Sequence, residues 1–192
     1  MTKAQKIFIG VYVVLILLTI AWIGNKQLNL DGNPIGQYGI KGTVEQGILP
    51  PNDYGVASRT ITQENMEKTI CNKDWKTSSV RPPSSLTSAL KKQQLKEMGY
   101  KDTDITHFSE DHVISLWLGG APRDPKNLFP QLHPYSYQKD KLEYYLHTLV
   151  CKGDISLRDA QNRLSNNWLH WYNYYDLGTK MAGVTVVDEG EE

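Results

Sequence analysis

The stretch from Ile7 to Gly24, IFIGVYVVLILLTIAWIG, runs for 18 residues without a charge. As a helix it would span about 27 Å, close to the thickness of a bilayer's hydrocarbon core. A chain opening this way must cross a membrane with that run, lose it as a signal peptide, or bury it. Lys3 and Lys6 precede the run, while Lys26 follows closely and Asp31 soon opposes it. The positive-inside bias therefore places residues 1–6 in the cytoplasm, 7–24 across the membrane and the remainder outside, as a single-pass protein. The alternative is secretion after signal cleavage, for which a shorter apolar run and a small-x-small site would be expected. The following WIGNKQLNL offers no A-x-A pattern.

Downstream, residues 25–55 hold six Gly and three Pro, so residues 25–60 read as a stem. Residues 61–175 read as one folded domain, and residues 176–192, ending in DEGEE, as an acidic tail. Across the whole chain 21 Lys and Arg balance 21 Asp and Glu, which excludes binding of nucleic acid by bulk charge. The charge is unevenly placed, however. Residues 68–101 carry eight Lys and Arg against two acids. Such a basic block suits a phosphodiester partner, and a solvated helix face is the plain alternative.

Within the folded part the periodicity predicts an α+β domain, mostly helical. Ser84 to Met98 reads as a helix with serines at its N-cap and Gly99 as its stop. Lys139 to Val150 places Leu142, Tyr145, Leu146, Leu149 and Val150 at helical spacing. Ser156 and Asp159 have capping-box spacing ahead of a stripe formed by Leu157, Ala160, Leu164, Trp168, Trp171, Tyr172 and Tyr175. Core packing is the favoured role for that stripe, with a base-stacking platform as the alternative. Residues 107–131 differ: HFSEDHVISLWLGG reads as a strand reaching a Gly119-Gly120 turn, and NLFP as a second short strand. With the helix at Lys139 they form a β-β-α unit.

Glu110, Asp111 and His112 stand together on the first strand, and Asn127 opens the second. A carboxylate is a hard oxygen ligand for Mg²⁺-like ions, and a neutral imidazole can take a proton from water near pH 7. An Asn across the hairpin could hold that imidazole in one orientation.

The string EDHVISLWLGGAPRDPKNLFPQ, followed by KDKLE, VCKGDISLRDAQ and NNW, resembles the HNH endonucleases with a ββα-metal centre. It is most similar to small bacterial and phage members with a DH-I-P-L-x-L-GG, NLWPQ and KD-LE pattern, and the likeness covers about Lys68 to Trp168. The resemblance implies a divalent metal ion, Mg²⁺ foremost, with Mn²⁺, Zn²⁺ or Ni²⁺ as alternatives, and nucleic acid, DNA more than RNA, as partner. It implies His112 as general base, Asn127 as the residue that orients it, and Asp111 as metal ligand. The family's third motif position falls on Ser136. Either the nearby His133 supplies that ligand through a shifted loop, or the ion has one protein ligand fewer, or the site is inactive. Arg81, Lys91 and Lys92 of the basic block are the candidate substrate contacts, with bracing of the core the favoured role for Arg81. Cys71 and Cys151 lie at family-like positions, and in an exported domain they would pair as a disulfide, two buried free thiols being the alternative. A non-catalytic module that keeps the scaffold and binds nucleic acid or an envelope partner is the second functional reading.

Overall fold

The computed structural model describes residues 46–182. The predicted membrane segment, the stem up to residue 45 and the last ten residues of the acidic tail lie outside the described residues. Among the described residues no helix is long and apolar enough to cross a membrane.

The domain is mixed, helices around one two-stranded sheet. Helix α1 spans Ser84–Glu97, and strands β1 (Phe108–His112) and β2 (Leu128–Leu132) pair antiparallel, Phe108 opposite Leu132 and His112 opposite Leu128. Helix α2 (Tyr135–Lys152), helix α3 (Leu157–Tyr174) and the short α4 (Leu177–Lys180) follow.

The local reasons are visible in most elements. Ser156 caps α3 through a 3.1 Å hydrogen bond from the Asp159 amide, as its spacing predicts. Gly153 ends α2 at φ 81°, in the left-handed conformation that glycine adopts without strain. Helix α3 breaks at Asn167, whose side chain accepts the His170 amide at 3.0 Å and restarts the helix as an internal cap. Helix α1 departs from expectation at its start. Pro83, not a serine, holds the N-cap position and no side chain caps the helix, so Pro at the boundary sets the entry instead. Helix α2 begins four residues before Lys139, because Tyr135 to Gln138 add a polar first turn that apolar periodicity does not register.

The core lies between α2 and α3, where Leu142, Leu146 and Val150 meet Leu157, Ala160, Leu164 and Trp168. The aromatic stripe of α3 divides by depth. Trp168 is buried and donates its indole N–H to the Ile48 carbonyl at 2.8 Å, Tyr172 is buried, and Trp171 is half-buried beneath the Arg163 guanidinium, 4.4 Å from its ring centre. Tyr175 is half-buried as well, and the 65% exposed Tyr174 lies outside the stripe, so packing is the dominant role.

Residues 46–60, expected in the stem, belong to this domain. Their backbone bonds to the segment that connects the strands: Gly55 N to Lys126 O, Ser58 N to Gly119 O and Ala121 N to Val56 O, all at 2.7–2.8 Å. Glycine and proline here shape an irregular but packed strap. At the other end Leu177 is buried and Lys141 donates to the Met181 carbonyl, so residues 176–182 pack on the domain rather than joining a solvated tail.

Cys71 and Cys151 form a disulfide across 80 residues of sequence. It ties the irregular segment before α1 to the last turn of α2. A loop of this length corresponds to roughly 4 kcal/mol on the chain-entropy account. Reduction is expected to lower the thermal midpoint clearly, which differential scanning calorimetry with and without reductant would register. Two titratable thiols in non-reduced protein would contradict the pairing.

Candidate metal and nucleophile site

Strand β1 ends at His112 and β2 begins at Leu128, and the residues between them form the wall of a small cleft. This is shorter than the predicted first strand, which was to run to Gly119. Ser115 instead opens a short 3-10 turn over Leu116–Leu118, and Gly119 at φ 72° ends it. Gly120 then passes so close to the Ile114 carbonyl and the Asn127 amide that a Cβ has no space there.

Asn127 explains that compression. Its side chain is fully buried and all four amide positions are used. Oδ1 accepts the Ile114 amide at 2.9 Å and the Val56 amide at 3.2 Å. Nδ2 donates to the Ile114 and Ala121 carbonyls, each at 3.0 Å. Asn127 therefore clamps the connecting segment, and makes no hydrogen bond to the His112 ring. Its influence on that ring is indirect, because the residue after Ala121 is Pro122, whose carbonyl accepts from His112 Nε2 at 3.1 Å.

That bond requires the proton on Nε2 and leaves Nδ1 with its lone pair. His112 is only 5% exposed, and burial pushes its pKa down to about 4; the Pro122 carbonyl and Asp111 partly offset this, while Arg81 and Lys139 reinforce it. The imidazole is neutral and in one tautomer at physiological pH.

Asp111, on the neighbouring position, accepts the His112 amide at 2.8 Å through Oδ1 and the Lys139 ammonium at 2.9 Å through Oδ2. Lys139 is fully buried on α2, and also donates to the His112 carbonyl at 2.7 Å and to Glu143 one turn further on. Burial works against its charge, but the Asp111 and Glu143 carboxylates outweigh it and hold Lys139 protonated well above its ordinary range. For Glu143 burial raises the pKa, with the Lys139 ammonium pulling the other way. Arg81, Asp140, Trp117 and Tyr144 complete the walls around Asp111, His112 and Glu143. The void holds about 30 Å³, room for water or a small ion but not for a nucleotide.

Several sequence candidates are thus brought together and others are not. Asp111, His112 and Arg81 share the cleft. His133 lies past the far end of the hairpin, about 13 Å along β2 from the position opposite Asp111 by strand rise, and its amide bonds to His107. Its ring accepts or donates a 2.8 Å bond with Ser136 Oγ and stacks on Tyr137, so His133 and the buried Ser136 are partners of each other. Lys91 sits against the hairpin away from the cleft and donates to the Phe108 carbonyl at 2.7 Å; Lys92 is exposed on α1. Sequence reading missed the roles of Lys139, Asp140 and Glu143. The available signals were the KDKLE likeness, which carried no assigned roles, and the i, i+4 spacing of Lys139 and Glu143.

The donor set suits a hard cation. Asp111 and Glu143 remain 16% and 14% exposed toward the cleft, and each carboxylate oxygen keeps a second lone pair beyond the bond it accepts. A Mg²⁺-like ion needs one or two carboxylates and keeps several waters. A softer ion such as Zn²⁺ would call for imidazole or thiolate ligands. Among the described residues the one group of three His, Cys or carboxylate donors with ligand atoms within 4.8 Å is Cys71, His147 and Cys151, and its sulfurs are spent in the disulfide.

Glu110 stands apart on β1. Both carboxyl oxygens are buried without a hydrogen-bond partner, and burial pushes the pKa up to about 8, the Lys91 charge opposing and Asp111 adding to the rise. The raised folded-state value means that stability is fully present below about pH 4.5, the ordinary value, and is lost as pH rises toward 8. In Glu110→Gln the loss of stability between pH 5 and pH 8 is expected to shrink by about 3 kcal/mol, read by urea unfolding at both values. Parallel pH profiles for wild type and variant would refute the assignment.

No protein-family model, curated protein or solved structure matches the chain.

Proposed function

We propose that this chain is a divalent-metal-dependent endonuclease of HNH type, hydrolysing phosphodiester bonds of DNA from a membrane-anchored position outside the cytoplasm. One observation carries the reading: a buried, neutral His112, held in a single tautomer by the Pro122 carbonyl, stands beside the Asp111 carboxylate in a cleft that Arg81 also lines. The likeness of EDHVISLWLGG, NLFPQ and KDKLE to the HNH pattern supports it.

In this reading His112 Nδ1 takes the proton from the attacking water. Pro122 holds the ring through Nε2, and Asn127 fixes the segment that carries Pro122, so Asn127 is a positioning residue. Asp111 and Glu143 would hold the cation, with the Lys139 ammonium bridging the two carboxylates. When bound, such a cation would supply Lewis-acid polarisation of the phosphate and charge stabilisation for the departing 3′ oxygen. Arg81 provides a guanidinium for the phosphate oxygens. The Cys71–Cys151 disulfide supports an oxidising compartment, in keeping with the export expected from residues 7–24.

Supercoiled plasmid incubated with the full chain should be nicked with Mg²⁺ or Mn²⁺ and protected by EDTA. Intact plasmid under every metal condition would sink the enzymatic reading. A specific feature favours one rival: Lys139 already neutralises Asp111, as it would in a scaffold retained for binding. DNA retention without cleavage would select that rival.

A further inference from the structure

A second cavity lies beside the cleft and shares Trp117 with it. Its volume is about 250 Å³, against about 30 Å³ in the cleft. Two indoles line it, Trp75 from the irregular segment before α1 and Trp117 from the connecting segment, both half-buried. Lys73 and Lys76 are exposed at the same cavity, with Thr77 buried among its walls.

The walls are held in place. Trp117 makes edge-to-face contacts with Tyr144 at 5.8 Å and His147 at 5.1 Å between ring centres. His147 is anchored in turn by a 2.8 Å bond from Nε2 to the Ile70 carbonyl. The disulfide fixes the segment bearing Trp75 to α2. Aromatic walls, a void large enough for a planar ring and ammonium groups at the same opening are the features that receive a nucleobase with its phosphate. Because Trp117 lines both, such a base would sit beside a phosphodiester lying across the mouth of the cleft.

We infer that this cavity is a nucleobase subsite, taking one unpaired base of the strand whose phosphodiester lies against His112 and Asp111. The inference rests on the nuclease reading and sharpens its substrate class. The strand must present an unstacked base, so single-stranded or locally distorted DNA is favoured over regular duplex. The aromatic walls read the base by stacking, which tolerates any sequence, and Lys73 contributes charge for the backbone.

The test is equilibrium binding of the full chain, in EDTA to prevent cleavage, to a fluorescein-labelled single-stranded oligonucleotide and to the same strand made wholly of abasic sites. Wild type is expected to prefer the intact strand by about tenfold. Trp75→Leu should weaken intact-strand binding by about the same factor and erase the preference. Because Trp75 also packs against the core, Lys73→Glu, at an exposed position, is the second variant. It should weaken both strands several-fold and reduce the salt slope by about 1. Equal wild-type affinity for intact and abasic strands overturns the subsite, as does wild-type behaviour of both variants. If wild type nicks plasmid in Mg²⁺ yet shows either result, only the subsite fails. If it neither nicks nor binds DNA, the nuclease reading fails with it.

Discussion

His112→Ala is expected to lower plasmid nicking by about 10²- to 10⁴-fold, the range for removal of a positioned general base. The argument is geometric. Nε2 is committed to the Pro122 carbonyl, so Nδ1 is the ring's basic atom, and burial keeps the ring neutral at assay pH. No second histidine replaces it: His133 is bound to Ser136 past the far end of the hairpin, and His147 is anchored to Ile70. His112 is buried, so loss of the ring also opens a void, and His112→Gln serves as a companion that keeps bulk and a polar end. Both variants should retain a cooperative melt while losing nicking measured from initial rates. Nicking at the wild-type rate in either would remove His112 from the mechanism.

Lys139→Met is the second large effect, and it falls on stability. Methionine preserves length and apolar bulk but removes the one ammonium that meets Asp111, Glu143 and the His112 carbonyl together. Removing one partner of a buried ion cluster leaves the other charges uncompensated, a cost of about 3–5 kcal/mol. Glu143, which burial already pushes upward and Lys139 holds down, can escape by taking up a proton, so the loss should be greatest near pH 8 and smaller near pH 5. Arginine should not restore the site, because its planar fork does not fit the place of a compact ammonium. Lys92→Met, at an exposed position on α1, should stay within about 0.5 kcal/mol of wild type. Urea midpoints at the two pH values check all three variants. A Lys139→Met protein as stable as wild type at pH 8 would show that the cluster contributes nothing.

The same residues show which parts of the molecule a linear reading reaches. Helix α3 was legible because a Ser156 cap and a stripe recurring at helical spacing are local signals. Asp111 and His112 were legible as a pair because adjacent residues at a strand end stay adjacent in space. Lys139 was opaque for the opposite reason. A lysine in YQKDKLE reads as one more exposed cation until the fold places it, fully buried, against a strand 27 residues earlier. Asn127 was legible as important but not in its action, since four backbone groups on two separate segments cannot be deduced from one position. The strap at residues 46–60 was misassigned because Gly and Pro report backbone irregularity and say nothing of packing.

By itself, the sequence determined the mixed α+β class, the hairpin before α2, the pairing of a carboxylate with an imidazole and the candidate cysteine pair. Those properties follow from short-range periodicity, turn chemistry and motif likeness. The tertiary structure alone decided that Lys139 neutralises Asp111, that Pro122 selects the His112 tautomer, that His133 and Ser136 bind each other, and that a tryptophan-lined cavity adjoins the cleft. Each depends on contacts between segments brought together by the fold, and the desolvation that keeps His112 neutral exists only once those segments have closed around it.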